Sequence, residues 1–490
     1  MDSVTDSMAN SMTNAPDPKK GSGFLTLLRK KQFLYLWLAQ LISMTILNAS
    51  NYALLVLIEE VTGSTTLVGL AIICFSLPAL LFGAPAGVFV DRMNKRQVLW
   101  GSNCLRAIAT FVFVISLLLN HKQLVLVYLL TFLISTIGQF FSPAEGSTIP
   151  LLVSEDELMP ALSLFNVTFM LSNALGFIVM APLALSLLPA FTLFHLTVHP
   201  VDQLYALIAL LYIVCAILIA LIPKASFAQQ AHSQRNKHRP SESSVARDML
   251  HTLGSVWTEM RQGWGFVRQN KLLFLAVIQL SFAGVLLLVI GELATPIVTK
   301  LLSLPAKAMA FIFAPAGIGL VAGSVLMPRI TRRLGRSRAI LTGAVALTVA
   351  TLLLPLSVLL ARNLQPNGWN ANPLILLLVA FIMFCAGVAL DFINIPAQTA
   401  MQEQSPDWIK GRVLALQLML YNACSIPVIL FIGAFSDIFG IDRVLYLMSC
   451  CSLAFGFWSR FYERKHAQEI SNATGPQPAR LPEQEGDPLI

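Results

Sequence analysis

The stretch GAPAGVFVDRMNKRQVL, Gly83–Leu99, decides the fold. A long apolar run ends there in a burst of charge at Asp91, Arg92, Lys95 and Arg96. Gly83 and Gly87 stand four residues apart, and Asp91 follows four residues later. On a helix that spacing puts all three on one face. Glycines on such a face let a second backbone come close.

Composition says which solvent surrounds that helix. Of 490 residues, 56% are hydrophobic and 12% are charged, where soluble domains carry about 25% charged residues. A spanning helix needs roughly 20 apolar residues. In lipid its backbone must satisfy its own hydrogen bonds, so long apolar runs become helices. Twelve segments qualify: 33–58, 66–90, 98–119, 123–142, 160–188, 203–223, 272–291, 308–328, 339–360, 373–396, 413–436 and 444–459. Within them the only Asp, Glu, Lys or Arg residues are Arg106 and Asp391.

The net charge of +8 does not point to nucleic acid. With a cytoplasmic N-terminus, twelve crossings put 27 Lys and Arg residues on the cytoplasmic side. Five fall outside: Lys122, Lys300, Lys307, Arg362 and Arg443. That bias is the positive-inside pattern, so the protein is expected in the cell membrane with both termini cytoplasmic. The expected organisation is a disordered tail over 1–31, a six-helix bundle over 32–223 and a cytoplasmic middle loop over 224–271. A second bundle covers 272–462 and a disordered tail 463–490. Within the middle loop, SVWTEMRQGWGFVRQNK reads either as an interfacial helix with Trp257 and Trp264 at the lipid headgroups or as a solvated linker. The seven cysteines all lie in apolar segments without metal-ligand spacing and are read as core packing.

The halves repeat. FFSPAEGSTIPLLVSEDELMPALSL (140–164) lines up with NIPAQTAMQEQSPDWIKGRVLALQL (394–417), so that Pro143-Ala144 falls on Pro396-Ala397. KQFLYLWLAQL from Lys31 is similar to NKLLFLAVIQL from Asn270, with Gln40 on Gln279. Repeated helical bundles with a site between them are a common transporter plan.

With Gly87, Asp91, Arg92 and Arg96, the loop after the second segment reads Gly-x-x-x-Asp-Arg-x-x-x-Arg. It resembles the signature loop of the major facilitator superfamily. The resemblance implies an all-α integral membrane protein of twelve transmembrane helices in two repeat-related six-helix bundles, with alternating access to a central cavity. It implies a gating latch in which Asp91 meets the start of the eleventh helix near Gly411-Arg412, where the helix dipole favours an acid. Arg92 and Arg96 would clamp neighbouring helix ends. In the second half the position matching Asp91 is near Arg332, so one strong latch is expected. TGSTTLVGLAIICFSLPALLFGAPAGVFVDR, the Arg106 of SNCLRA, FFSPAEGSTIPLLV and KGRVLALQL are similar to the macrolide-efflux and enterobactin-exporter branch of drug:proton antiporters. That implies export of an amphipathic small molecule, such as a drug, macrolide or siderophore, in exchange for protons.

Charges inside a span need a partner or a task. Arg106 and Glu145 face one another across antiparallel segments. They are read either as a structural ion pair or as part of the latch, with Glu145 changing partner or protonation as it opens. Asp391 and Glu145 are the candidate proton carriers. Asp391 has the alternative of capping a kinked helix near Pro396. Glu59, Glu60 and Glu292 either cluster at the outer mouth or are solvated helix ends. Asn48, Asn51, Gln139, Asn166, Phe169, Asn173, Gln279 and Asn422 are candidates to line a substrate path. Phe165, Met170, Met419 and Tyr421 would add an apolar wall, and Gly176 with Pro182 a bend in the fifth helix. No phosphate loop, metal cluster or nucleophile constellation is found, so neither an enzyme nor a cofactor is expected. The expected partners are the substrate, protons and the bilayer, with the chain a monomer. A lipid translocase, such as one for lysophospholipids, and a non-transporting scaffold or sensor are the alternative functions.

Overall fold

The structure, a computed structural model, describes residues 24–119, 123–193, 196–224, 261–305, 308–365, 368–406 and 409–466. Among these residues twelve long helices follow one another. The first six are α1 Lys31–Thr62, α2 Thr65–Arg92, α3 Lys95–Leu119, α4 Leu124–Leu152, α5 Glu155–Ala174 and α6 Pro200–Ala220. The second six are α7 Lys271–Pro296, α8 Met309–Leu334, α9 Arg336–Leu364, α10 Pro373–Glu403, α11 Lys410–Phe439 and α12 Ile441–Lys465. Among the described residues, eleven helices are long and apolar enough to cross a bilayer. The apolar stretch of α8, Phe311–Met327, is shorter because its last turns carry Arg329, Arg332 and Arg333.

The helices overshoot the apolar segments of the sequence. α4 runs on to Leu152 and α10 to Glu403. Hydropathy registers only the stretch that lipid requires. The extra turns bury one side against neighbours, through Thr148, Ile149 and Leu152 in α4 and Ala397, Ala400 and Met401 in α10.

Local chemistry sets the ends. Gly63 closes α1 at φ +62°, donating its N–H to the Glu59 carbonyl, and Ser64 then caps α2 by accepting from the Leu67 N–H. Only glycine takes that left-handed turn cheaply. Asn270 caps α7 by accepting from Leu272 and Leu273. α5 starts with a capping box between Ser154 and Glu157. It passes through a π-helical stretch, Leu175–Met180, into Ala181–Leu187. Gly176 in that stretch lies against the Thr45 carbonyl of α1, where a Cβ has no room. A short antiparallel ribbon, β1 Phe191–Leu193 with β2 Leu196–Val198, joins α5 to α6.

Three expectations need correction. The tail expected to be disordered to residue 31 contains a short helix, Phe24–Leu28, whose Leu27 is buried. Lys30 then pairs with Glu157. In the middle loop, 261–269 is helical and Val267 is buried in the core, while Trp264 packs against Phe274 at 6.2 Å. Residues 261–269 are therefore not a solvated linker. Trp257 lies outside the described residues. Of the cysteines, Cys215 is buried but Cys424, Cys450 and Cys451 are exposed, so they do not form core.

The apolar core divides unevenly. Call the end bearing the α2–α3 loop the basic end and the opposite one the far end. One continuous cluster joins the two halves, from Ile46 and Ile72 to Leu286 and Ile429. Toward the basic end the core splits into two separate clusters. One holds Phe33, Phe141 and Phe165 of the first half, the other Val277, Met401 and Val413 of the second.

Candidate functional site

The halves meet most closely where α2 and α11 approach at the far end. Asp437, in the last turn of α11, accepts from the Thr65 and Thr66 backbone N–H groups at 2.8 and 2.9 Å. It also accepts from the Ser64 and Thr66 hydroxyls at 2.7 and 2.8 Å. These are the free donors of the α2 N-terminus, whose dipole favours an anion. Lys300, just beyond α7, donates to Asp437 at 3.2 Å and to the Thr65 hydroxyl at 3.0 Å. Its ammonium lies 4.0 Å from Glu59, which also accepts from Thr299 at 3.0 Å. One knot thus ties α1, α2 and α11 to the end of α7. Behind it, Gly69 of α2 and Gly433 of α11 close around the buried Glu292 side chain. Of the three acids expected at this mouth, Glu59 and Glu292 are buried in the seam and Glu60 is exposed.

Sequence reasoning missed Asp437. One signal was present: an acid in the last turn of an apolar helix sits where the dipole disfavours it, so it needs donors from elsewhere. The run Ser64-Thr65-Thr66 supplies them.

At the basic end the same helix pair stands differently. A Cβ added at Gly83 or Gly87 would meet nothing within 4 Å. The glycine face of α2 is therefore unpartnered in this arrangement. Asp91 and Arg92 form the last residues of α2 and Gly411 lies in the first turn of α11. The side chains of Asp91, Arg92 and Arg332 lie outside the described residues. Arg96 is well defined: it donates to the Ala220 and Ile222 carbonyls at 2.6 and 2.9 Å, closing the end of α6. Arg412 donates to Gln262 of the linker helix at 3.2 Å.

Inside the first bundle Arg106 is buried, donating to the Ser43 hydroxyl at 3.0 Å. Its guanidinium lies over the Phe141 and Tyr212 rings, at 5.1 and 5.6 Å, and against Gly138. Glu145 is buried within reach of that charge, with Oε1 unpartnered. Aromatic faces and a hydroxyl hold the cation here more directly than the acid does. Asp391 is buried against Gly323 of α8, inside the second bundle.

The polar candidates scatter. Gln279 is fully buried and donates to Ser459 of α12 at 2.6 Å, which makes it a tie within the second bundle. Asn48 and Asn422 turn back to their own helices, donating to the Met44 and Leu418 carbonyls. Gln139 does the same to Ser135. Asn51 and Asn173 are half-buried, and Phe169 is exposed. The side chains of Asn166 and Met170 lie outside the described residues. Of the apolar wall, Phe165 is core, packed edge-on against Phe33. Tyr421 lies against Gly284 of α7, and Met419 is half-buried. A separate apolar cavity of about 70 Å³ lies within the second bundle, among Leu287, Phe313, Leu347, Met383 and Leu390. Ligand pockets run to about 300–1,000 Å³, so it is too small for a drug-sized guest.

Known proteins share this fold. A family model described as Major Facilitator Superfamily matches residues 36–427. Macrolide efflux protein A of Streptococcus pyogenes is 25% identical over 250 residues, which are 50% of this chain and 53% of that protein. The match thus spans about half the length of that relative. A Bacillus subtilis (strain 168) protein, "Uncharacterized MFS-type transporter YfiS", is 23% identical over 387 residues, 79% of this chain and 82% of its own. Among solved structures, the nucleoside transporter NupG superposes with a TM-score of 0.62 at 14% identity, covering 88% of this chain and 98% of NupG. A bacterial homolog of the human lysosomal transporter Spinster, inward-facing and occupied, gives 0.63 at 12% identity, with 92% and 99% covered. At these identities the structural likeness concerns the fold.

Proposed function

The chain belongs to the Major Facilitator Superfamily, and from that premise we propose that it exports an amphipathic small molecule by proton antiport through alternating access. One observation carries the reading. The pair α2 and α11 is tied at the far end by Asp437, while the glycine face of α2 stands clear at the basic end. A helix pair closed at one end and parted at the other is one half of a rocking cycle. In the other half, Gly83 and Gly87 receive α11, Asp91 reaches the α11 N-terminus, and the Asp437 contact parts. Both latches use the same chemistry, a carboxylate at the free N–H groups of a helix start.

The distribution of Lys and Arg supports a cytoplasmic basic end. The arrangement is then open to the cytoplasm, ready to load substrate for export. The name of macrolide efflux protein A supports efflux and an amphipathic cargo. Glu145 and Asp391 are the carriers to test for the proton.

The test is proton flux in proteoliposomes under an imposed pH gradient, with lipophilic cations, macrolides and catecholate siderophores added one at a time. The proposal expects one compound to collapse the gradient, and D91N to abolish that response at equal membrane abundance. No response to any compound, with movement of labelled lysolipids, would replace it with lipid translocation. Silence in both would leave a non-transporting role.

A further inference from the structure

The far-end seam encloses a carboxylate that no hydrogen bond accounts for. Glu292 of α7 is 0% exposed, and neither Oε1 nor Oε2 meets a donor. Both halves build its cradle. Oε1 lies 2.5 Å from the point where a Cβ would stand on Gly69 of α2, and 2.8 Å from the same point on Gly433 of α11. Ile429 and the Thr66 backbone fill the rest of the gap. Any side chain at either glycine would take the space of the acid.

The charged neighbours do not compensate it. From α11 the group that acts on Glu292 is another carboxylate, Asp437. α2 brings hydroxyls and backbone at Thr65 and Thr66 but no charge. From α1 come Glu59, with its own partners, and Glu60, exposed at the helix end. Lys300 directs its ammonium to Thr65, Asp437 and Glu59. A bare carboxylate among apolar walls and like charge is costly, whereas the neutral acid is tolerated.

We propose that Glu292 is a proton-binding site of the far-end seam: the seam closes on the protonated acid and opens when that proton leaves to the far side. The step is a simple association of one proton with one carboxylate. Separation of α2 from α11 lifts Gly69 off Glu292 and admits water. Closure removes the water again. In the closed seam the acid is sealed from the basic end, so its proton arrives and departs on the same side. Glu292 therefore sets when the far end closes and does not carry the coupling proton across. This rests on the alternating-access part of the proposed function and is independent of which residue couples transport.

The experiment is hydrogen–deuterium exchange of the full chain in lipid nanodiscs at about pH 5.5 and about pH 8, with labelling times scaled to the chemical exchange rate. Wild type should lose protection over 62–69 and 429–437 as pH rises, by up to about tenfold per pH unit for a single linked proton. E292Q, neutral and of equal size, should stay protected at both pH values. D437N should lower protection at both while keeping the pH response. If E292Q does not assemble, E292M carries the same expectation. A wild-type seam indifferent to pH, or a neutral variant that keeps the wild-type response, would overturn the proposal. Substrate-driven proton flux by wild type decides the antiport reading separately. Its absence would overturn antiport while leaving a pH-dependent seam intact.

Discussion

The Asp437→Asn substitution isolates the far-end latch. The aspartate accepts two backbone N–H groups, two hydroxyls and one ammonium, using both oxygens. Asparagine keeps one acceptor oxygen, so either the Thr65 and Lys300 donors or the Thr66 and Ser64 donors face an amide NH2. Hydrogen bonds to a charged acceptor contribute about 1.5–3 kcal/mol, and the charge at a helix start about 0.3–1 kcal/mol. The aspartate side chain is partly exposed, so water replaces some of what is lost. A net cost of about 2 kcal/mol to the closed far end is the reasonable value, equivalent to about a 30-fold rise in the open-to-closed ratio. The assay is the distribution of distances between spin labels at Val125 and Ile438, exposed residues on opposite halves of the far end. Unnatural side chains should carry the labels, because the chain has seven free cysteines. A shift of less than about threefold would refute the idea that this contact holds the far end shut.

Four further outcomes follow from the packing. Gly69→Ala puts a Cβ 2.5 Å from Glu292 Oε1 and 2.9 Å from Ile429; overpacking of about 1–3 kcal/mol should open the far end in the same distance assay. The Cβ of Gly87→Val meets nothing within 4 Å here, so yield and far-end distances should stay at wild-type values while transport falls, because α11 can no longer dock; wild-type transport would contradict this. Gly176→Ala forces a Cβ onto the Thr45 carbonyl and should cost about 1–3 kcal/mol, seen as a lower thermal midpoint in detergent. Glu157 precedes the apolar span of α5, and its hydrogen bonds, that from Lys30 first and those from Ser154 next, hold its pKa down at about 2. A depressed folded pKa stabilises above the ordinary carboxylate range and loses that contribution as pH falls toward 2. Exchange protection of residues 24–30 should therefore be full at neutral pH, weaken in acid, and be weak at all pH values in E157Q.

The helices were legible because lipid leaves the chain no alternative: a segment such as 373–396 can satisfy its backbone only as a helix. The glycine row of α2 was legible as a contact face, since Gly83, Gly87 and Asp91 share one side. Which end was in contact was not, because one sequence serves both arrangements. Facing was the harder problem. α7 is apolar all round, so nothing in its pattern says that Gln279 turns to Ser459 and not to a cavity. Trp264 likewise has the composition of an interfacial residue, yet it lies half-buried against the core. Asp437, and the burial of Glu292, escaped for a related reason. Their meaning lies in what the other half brings to them, the donors at Thr65–Thr66 for Asp437 and Gly69 for Glu292, each more than two hundred residues away in the sequence.

The central claim is that α2 and α11 engage at one end at a time. A second pair of labels, at the exposed Trp100 of α3 and Leu334 of α8, reports the basic end in the same preparation. Measured together in wild type and D437N, the two pairs should move oppositely, the basic end closing by the fraction that the far end opens. A far end that opens while the basic-end distances stay fixed, or both ends widening together, would contradict the account.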